Sequence, residues 1–190
     1  MTTITIVGDG PAALSAALFL AKAGNDVTLF GADETPMHYA QLYNYLGIPD
    51  ISGSEFQRTA RQQATDLGAT IVDAEVTAIE AADGTFTTTP ASGEPRASDY
   101  LILAGGKASQ ALAGSLGIEI HDGRVAVDAE YRTSVDRAYA LGRLVRPDRS
   151  QAIISAGAGA VAALDILSRE AGKDVHDWDT PPEPADDASR

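Results

Sequence analysis

The sequence predicts a three-layer α/β domain: a central parallel sheet with helices on one face and a β-meander on the other. Three observations carry that expectation. The chain opens on a β-branched apolar run, Ile4-Thr5-Ile6-Val7, followed by a glycine turn, a small-residue helical segment from Leu14 to Ala23, and a second apolar run, Val27-Thr28-Leu29-Phe30. A later stretch, Tyr100 to Ala104, is apolar throughout, as a parallel strand covered on both faces must be. Between them, Glu75–Glu80 alternates polar and apolar residues, and a turn at Asp83-Gly84 leads into Thr85–Thr89, which reads as another strand.

The first turn, Gly8-Asp9-Gly10-Pro11-Ala12-Ala13, has the G-x-G-x-x-A form of the dinucleotide-binding fingerprint of Rossmann-like domains. Gly8 permits the tight turn out of the strand. Gly10 has no Cβ, so a pyrophosphate can approach the backbone. Ala13 keeps the helix close to the sheet, and the free N–H groups of the first helical turn face the phosphates. The acidic residue that usually closes the second strand should fall at about position 31, where the chain has Gly31, with Asp33 and Glu34 nearby. The fingerprint therefore does not choose between FAD and NAD.

The remaining elements follow in order. Residues 33–50 read as an irregular loop with Met37, His38, Tyr39, Tyr43, Asn44 and Tyr45, whose tyrosines either wall an aromatic ligand or cap a small core. Ser52 or Ser54 is placed to cap a helix running through Phe56, Ala60, Gln63, Ala64 and Leu67 to Gly68. Ala69 to Val72 reads as a short buried strand, residues 90–98 as a polar loop, and 107–117 as a short connection with a helical turn. Gly123 to Val127 and Ala138 to Gly142 are short strands, and Gln151 to Leu167 is a long apolar helix. That helix holds a second G-x-G-x-x-A, from Gly157 to Ala162, with too little chain after it for another strand–helix–strand unit. Its glycines are expected where the backbone meets a ligand or a neighbouring helix. The chain divides into one domain, residues 1–172, and an acidic, proline-rich tail, 173–190, expected to lack order beyond about residue 180.

Composition narrows the function classes. At 190 residues the chain can bury a core without staples. It has no cysteine, which excludes disulfides, thiolate metal sites, iron–sulfur clusters and thiol redox centres from this sequence. His38, His121 and His176 lack metal-site spacing and read as surface residues. The net charge of −13 argues against nucleic acid and anionic membranes as partners. Its make-up, 18 Asp with 9 Glu and 11 Arg with 3 Lys, suits a halophile's solvated acidic shell, the alternative being an ordinary acidic bacterial protein. No apolar run approaches the roughly 18 residues of a transmembrane helix, and no basic leader precedes Ile4. The expected location is the cytoplasm.

The order of these pieces resembles the FAD-binding domain of thioredoxin reductases, flavoproteins with two dinucleotide domains, from about residue 4 to residue 170. Gly8 to Ala13 resembles the family's G-x-G-P-A-G. Asn44-Tyr45 with Gly47-Ile48-Pro49 and Ile51-Ser52-Gly53 resembles the stretch beside the isoalloxazine. Ala104-Gly105-Gly106 stands in for A-T-G, and Thr133-Ser134-Val135 with Ala138 to Gly142 resembles the segment leading to the family's G-D turn. Ser150-Gln151-Ala152-Ile153-Ile154-Ser155-Ala156-Gly157 resembles R-Q-A-I-x-x-A-G, where the helix start meets the pyrimidine edge of the flavin. The resemblance implies FAD held by Gly8, Gly10, Pro11, Ala12, Ala13, Asn44, Gly106, Gly142, Gln151 and Ala152, with no catalytic side chain and no metal. The similar reductases pair through this domain, so a homodimer is expected.

Three departures shape the expected function. The family splices a nicotinamide-nucleotide domain between the small-residue turn and the G-D segment, where this chain has about ten residues from Lys107. The family's redox cysteine pair lies in that domain, and the Asp of its G-D turn is here Arg143, which cannot accept a hydrogen bond from a ribityl hydroxyl. The chain is therefore expected to be a flavoprotein oxidoreductase fed from outside, by a ferredoxin, a partner subunit or free NAD(P)H, and not by itself a functional thioredoxin reductase. The alternatives are a non-enzymatic FAD-binding module and a degenerate nucleotide-binding scaffold.

Overall fold

The computed structural model describes residues 1–180; the expected disorder of the tail lies outside them. β1 (Thr3–Val7) leads through the glycine turn into α1 (Pro11–Lys22) and on to β2 (Asp26–Phe30). A 3-10 turn over Pro36–Tyr39 precedes β3 (Gln41–Leu42), which pairs antiparallel with β4 (Ile51–Ser52). α2 (Gly53–Asp66), β5 (Thr70–Val72), β6 (Val76–Ala82), β7 (Thr85–Pro90), β8 (Arg96–Ser98) and β9 (Tyr100–Leu103) follow. α3 (Lys107–Ser115), the hairpin of β10 (Ile120–His121) and β11 (Arg124–Val125), β12 (Ala138–Ala140) and α4 (Ala152–Ala171) complete the order.

Five strands form one parallel sheet in the order β12-β9-β1-β2-β5. Successive side chains of a strand point to opposite faces. Ile4, Ile6, Tyr100 and Ile102 face α1, α2 and α4, where they meet Ala13, Ala17, Leu20, Ala64, Ala162 and Ile166. Val7, Leu101 and Leu103 face the meander β6-β7-β8, where Ile79 and Phe86 cover them. Burial on both faces is why Tyr100 to Leu103 carries no polar alternation. The expected three layers are present.

Local expectations need correcting in four places. Residues 107–115 form a true helix, α3, whose Leu112 and Ala113 pack on the meander side, so not all helices share one face. Residues 96–98 pair with β7 as a third meander strand inside what reads as a polar loop. β5 is an edge strand, with Thr70 exposed and Ile71 and Val72 only half-buried. Finally, α4 runs four residues beyond Leu167 to Ala171. Its 18-residue window has a mean hydropathy of 1.4, long and apolar enough to match a membrane span by composition, although 44% of that window is buried inside the protein. Ser52, not Ser54, caps α2, its Oγ accepting the Glu55 N–H at 3.2 Å.

One polar network fixes α4 to the sheet edge. The Tyr139 hydroxyl donates to Asp165 Oδ2 at 2.5 Å, and Arg132 grips both oxygens of the same carboxylate, with Nε at 2.8 Å from Oδ2. Burial alone would push the Asp165 carboxyl up, but the Arg132 and Tyr139 donors outweigh it and hold it below its ordinary 3.8. A depressed folded value gives stability that is present above the unfolded value and lost as pH falls through the folded one. Asp165→Ala is expected to cost about 2 kcal/mol at neutral pH, less than a fully buried pair because the Arg132 side chain is 42% exposed. Urea denaturation should show this gap closing below the usual carboxylate range.

Candidate functional site

The central strands all end at one edge. Val7 is in register with Phe30 and with Leu103, and Leu103 with Ala140. Gly8, Gly31, Ala104 and Leu141 therefore leave the sheet side by side, at the carboxyl ends where open parallel sheets bind ligands. A cavity of about 580 Å3 lies there. Its wall includes nine of the expected residues: Gly8, Gly10, Pro11, Ala12, Asn44, Gly106, Gly142, Gln151 and Ala152. The tenth, Ala13, is absent from the wall. It is fully buried between helix and sheet, where its small size sets their spacing rather than touching a ligand.

Three helix N-termini converge on this cavity. Gly10, Gly106 and Gln151 are the N-caps of α1, α3 and α4, and all three line it. None of the three helices has a side-chain cap, and none has an acidic residue in its first turn. The first-turn N–H groups are thus left without the usual internal acceptor, and three partial positive charges face one space. That arrangement favours a ligand with distributed negative charge.

The glycines divide by what a side chain would meet. Gly8 has φ +111°, and a Cβ built on it would lie 2.6 Å from the Gly105 amide nitrogen, so turn and close approach both require glycine. Gly10 is extended, at φ −74° and ψ −178°, and its Cβ would meet only Thr35 Oγ1 at 3.7 Å. The space before Gly10 is open, which fits a pyrophosphate approaching the backbone.

Gly31 has a reason that no spacing rule shows. A Cβ there would lie 2.5 Å from Asp9 Cβ and 2.6 Å from Asp9 Cγ. The Asp9 carboxyl fills the room that a side chain at the end of β2 would take. It accepts the Asp33 N–H at 2.6 Å and the Arg61 Nη1 donor at 3.2 Å. Burial pushes its carboxyl up, with the Asp33 N–H and Arg61 pulling the other way. Asp9 and Glu34 both line the cavity on the β2 side. Gly31→Glu is expected to destabilise the protein and Asp9→Gly/Gly31→Glu, which removes the Asp9 Cβ as well as its carboxyl, to recover most of the loss, a coupling of about 2 kcal/mol by double-mutant cycle in urea.

The tyrosines separate. Tyr43 lines the cavity while 75% exposed, Tyr39 is 95% exposed, and Tyr45 packs on Phe56 with ring centroids 5.4 Å apart. Asn44 Nδ2 donates to Gln151 Oε1 at 3.0 Å, which ties this loop to the start of α4. Arg143 lines the cavity beside Gly142. His38 bonds Ser54 Oγ and the Asp33 carbonyl, and no metal-type cluster occurs among the described residues.

This chain matches the family profile described as pyridine nucleotide-disulphide oxidoreductase over residues 2–111 and again over residues 50–160. Thioredoxin reductase 1 of Saccharomyces cerevisiae is 30% identical over 122 residues, covering 56% of this chain and 37% of that protein. The thioredoxin reductase of Spironucleus barkhanus is 33% identical over 113 residues, covering 57% and 37%. The matched stretch thus spans little more than a third of these relatives' length. Among solved structures, a thioredoxin reductase from Gloeobacter violaceus superposes with a TM-score of 0.84 at 16% identity, covering 94% of this chain and 99% of that one. A ferredoxin-flavin thioredoxin reductase from Clostridium acetobutylicum gives 0.77 at 18% identity, covering 88% and 96%. At these identities the structural likeness establishes the fold. With the profile match running across most of the sheet and the cavity, the chain belongs to the pyridine nucleotide-disulphide oxidoreductase family, with a thioredoxin reductase-like fold.

Proposed function

We propose that the cavity holds FAD and that the domain works as a flavin-dependent oxidoreductase fed by an external donor. The observation that carries this is the convergence of three uncapped helix N-termini on the glycine turn. The α1 start and Gly10 would take the pyrophosphate. Asp9, displacing the usual acid at the end of β2, would face the adenosine ribose together with Glu34. Gln151 and Ala152 at the α4 start would meet the far edge of the cofactor, where the helix dipole favours the anion of a reduced ring. FAD, when bound, supplies the electron-transfer chemistry, and the chain binds, orients and tunes it.

Arg143 bears on the same end. Its guanidinium donates only, so it suits a phosphate or another anionic group of the ligand rather than a ribityl hydroxyl. The nine-residue α3 occupies the stretch directly after Gly106, and the sequence has no cysteine. Electrons would come from a ferredoxin, a partner subunit or free NAD(P)H; a ferredoxin is in keeping with the structural neighbour described as ferredoxin-flavin thioredoxin reductase.

The test is a visible spectrum of the purified protein, followed by acid release and identification of the flavin. Stoichiometric FAD is the expected result. Colourless protein that takes up no added FAD overturns the proposal. A non-enzymatic FAD module is favoured by one observation: of the two acids in the cavity wall, Asp9 and Glu34, Asp9 is already engaged by the Asp33 N–H and Arg61. Bound FAD that no donor reduces would decide for that alternative.

A further inference from the structure

The molecule carries 27 acidic and 14 basic residues, yet one edge of the cavity is cationic. Arg143, Arg146 and Arg149 fall within one short segment of two 3-10 turns, Gly142–Leu144 and Pro147–Arg149, and all three are exposed. Among the described residues none of them is in an ion pair, nor are Arg58 on α2 and Arg137 before β12, whereas Arg61, Arg96, Arg124, Arg132 and Arg169 all are. The segment's own acid, Asp148, is taken by Arg124 Nη2 at 2.5 Å. Lys107 is exposed at the start of α3, directly after the wall residue Gly106, and adds a fourth cation. Arg143 lines the cavity itself, and Arg146 and Arg149 line the depression next to it.

Tyr43, 75% exposed, lines the same cavity as Arg143, and Leu46, 87% exposed, follows on the loop that Asn44 ties to Gln151. Exposed arginines beside an exposed tyrosine are the residue types enriched in protein interfaces. With a net charge of −13, an acidic protein is repelled by most of this surface and drawn to this edge, so charge both selects and orients it.

We infer that the Arg143–Arg149 segment, with Lys107, is a docking surface for a small acidic electron-carrier protein, seated against the mouth of the cavity. That the docked carrier reaches a flavin rests on the function proposed above; the docking does not.

The experiment titrates the full chain with a plant-type [2Fe–2S] ferredoxin, an acidic one-electron carrier, by calorimetry at low and high ionic strength. Binding that weakens steeply with salt is expected. Arg146→Gln/Arg149→Gln should bind about tenfold more weakly, while Arg58→Glu on α2, which removes the same net charge, should lose less than about twofold. Absence of binding by the wild type at low ionic strength, or equal losses in both variants, overturns the inference. So does NADPH binding that the double variant loses while ferredoxin binds to neither protein, which would make this a nucleotide-phosphate site. The visible spectrum of the same preparations separates the two ideas: colourless protein that still binds ferredoxin through these arginines keeps the docking surface and removes the flavin.

Discussion

Gly10→Glu is expected to give a folded protein that purifies without flavin. Both halves follow from the geometry. Gly10 is extended rather than left-handed, so any residue can adopt its backbone. A built Cβ meets nothing nearer than Thr35 Oγ1 at 3.7 Å. The substitution removes no hydrogen-bonded cap, since α1 has none, and at such a position the cost is a few tenths of a kcal/mol. The melting temperature should move by no more than about 2 °C. The carboxylate, however, enters the space before the α1 N-terminus where a pyrophosphate is proposed to lie. Unit charges ~4 Å apart repel by about 4 kcal/mol at an effective dielectric near 20. Even with half of that screened, affinity falls by more than about tenfold, and unscreened by about a thousandfold. Thermal unfolding and flavin content, measured on one preparation, check the two halves separately. Full FAD occupancy in the variant would remove Gly10 from the site.

That result would also show which parts of the site sequence patterns can carry. The glycine turn was legible because its chemistry is local: strand, two glycines, helix, strand. The central strand at Tyr100 to Leu103 was legible because burial on both faces leaves an unbroken apolar run. α3 and β8 were not. Lys107–Ser115 is mostly small residues with a weak apolar stripe, and it is held by Leu112 and Ala113 against the meander. Arg96–Ser98 is polar and becomes a strand only because β7 offers it a ladder. The exchange between Asp9 and Gly31 was illegible for a stronger reason. Positions 22 residues apart compete for one volume, and only their three-dimensional adjacency shows that the missing acid has a substitute. Arg143 was visible as a departure, but its membership of a cationic edge with Lys107, Arg146 and Arg149 needed the fold.

The second G-x-G-x-x-A marks the limit of motif reading, and it yields the largest stability effect. Gly157 and Gly159 are the first and second glycines of one pattern on one helix, and alanine at the two positions should act in opposite directions. A Cβ on Gly157 meets nothing within 4 Å, and the residue is exposed in the interior of α4. Gly157→Ala should therefore stabilise by about 0.5–1 kcal/mol, the difference in helix propensity. A Cβ on Gly159 would lie 2.2 Å from the Ala12 carbonyl oxygen, 2.9 Å from the Ala16 nitrogen and 3.0 Å from Ser15 Cβ. Two of those neighbours are backbone atoms of α1, which cannot rotate away, so the helices must separate. Forcing helices apart opens the apolar layer of Ala13, Ala17, Ala162 and Ile166, and Gly159→Ala should cost about 3 kcal/mol or more. Ala12 also lines the cavity, so the same movement displaces the first turn of α1 from its place at the glycine turn. Gly159→Ala should lose flavin as well as stability, whereas Gly157→Ala should keep both. Urea denaturation and flavin content of the pair measure this directly. Equal behaviour of the two variants would mean that α1 and α4 do not pack as closely as the backbone distances require.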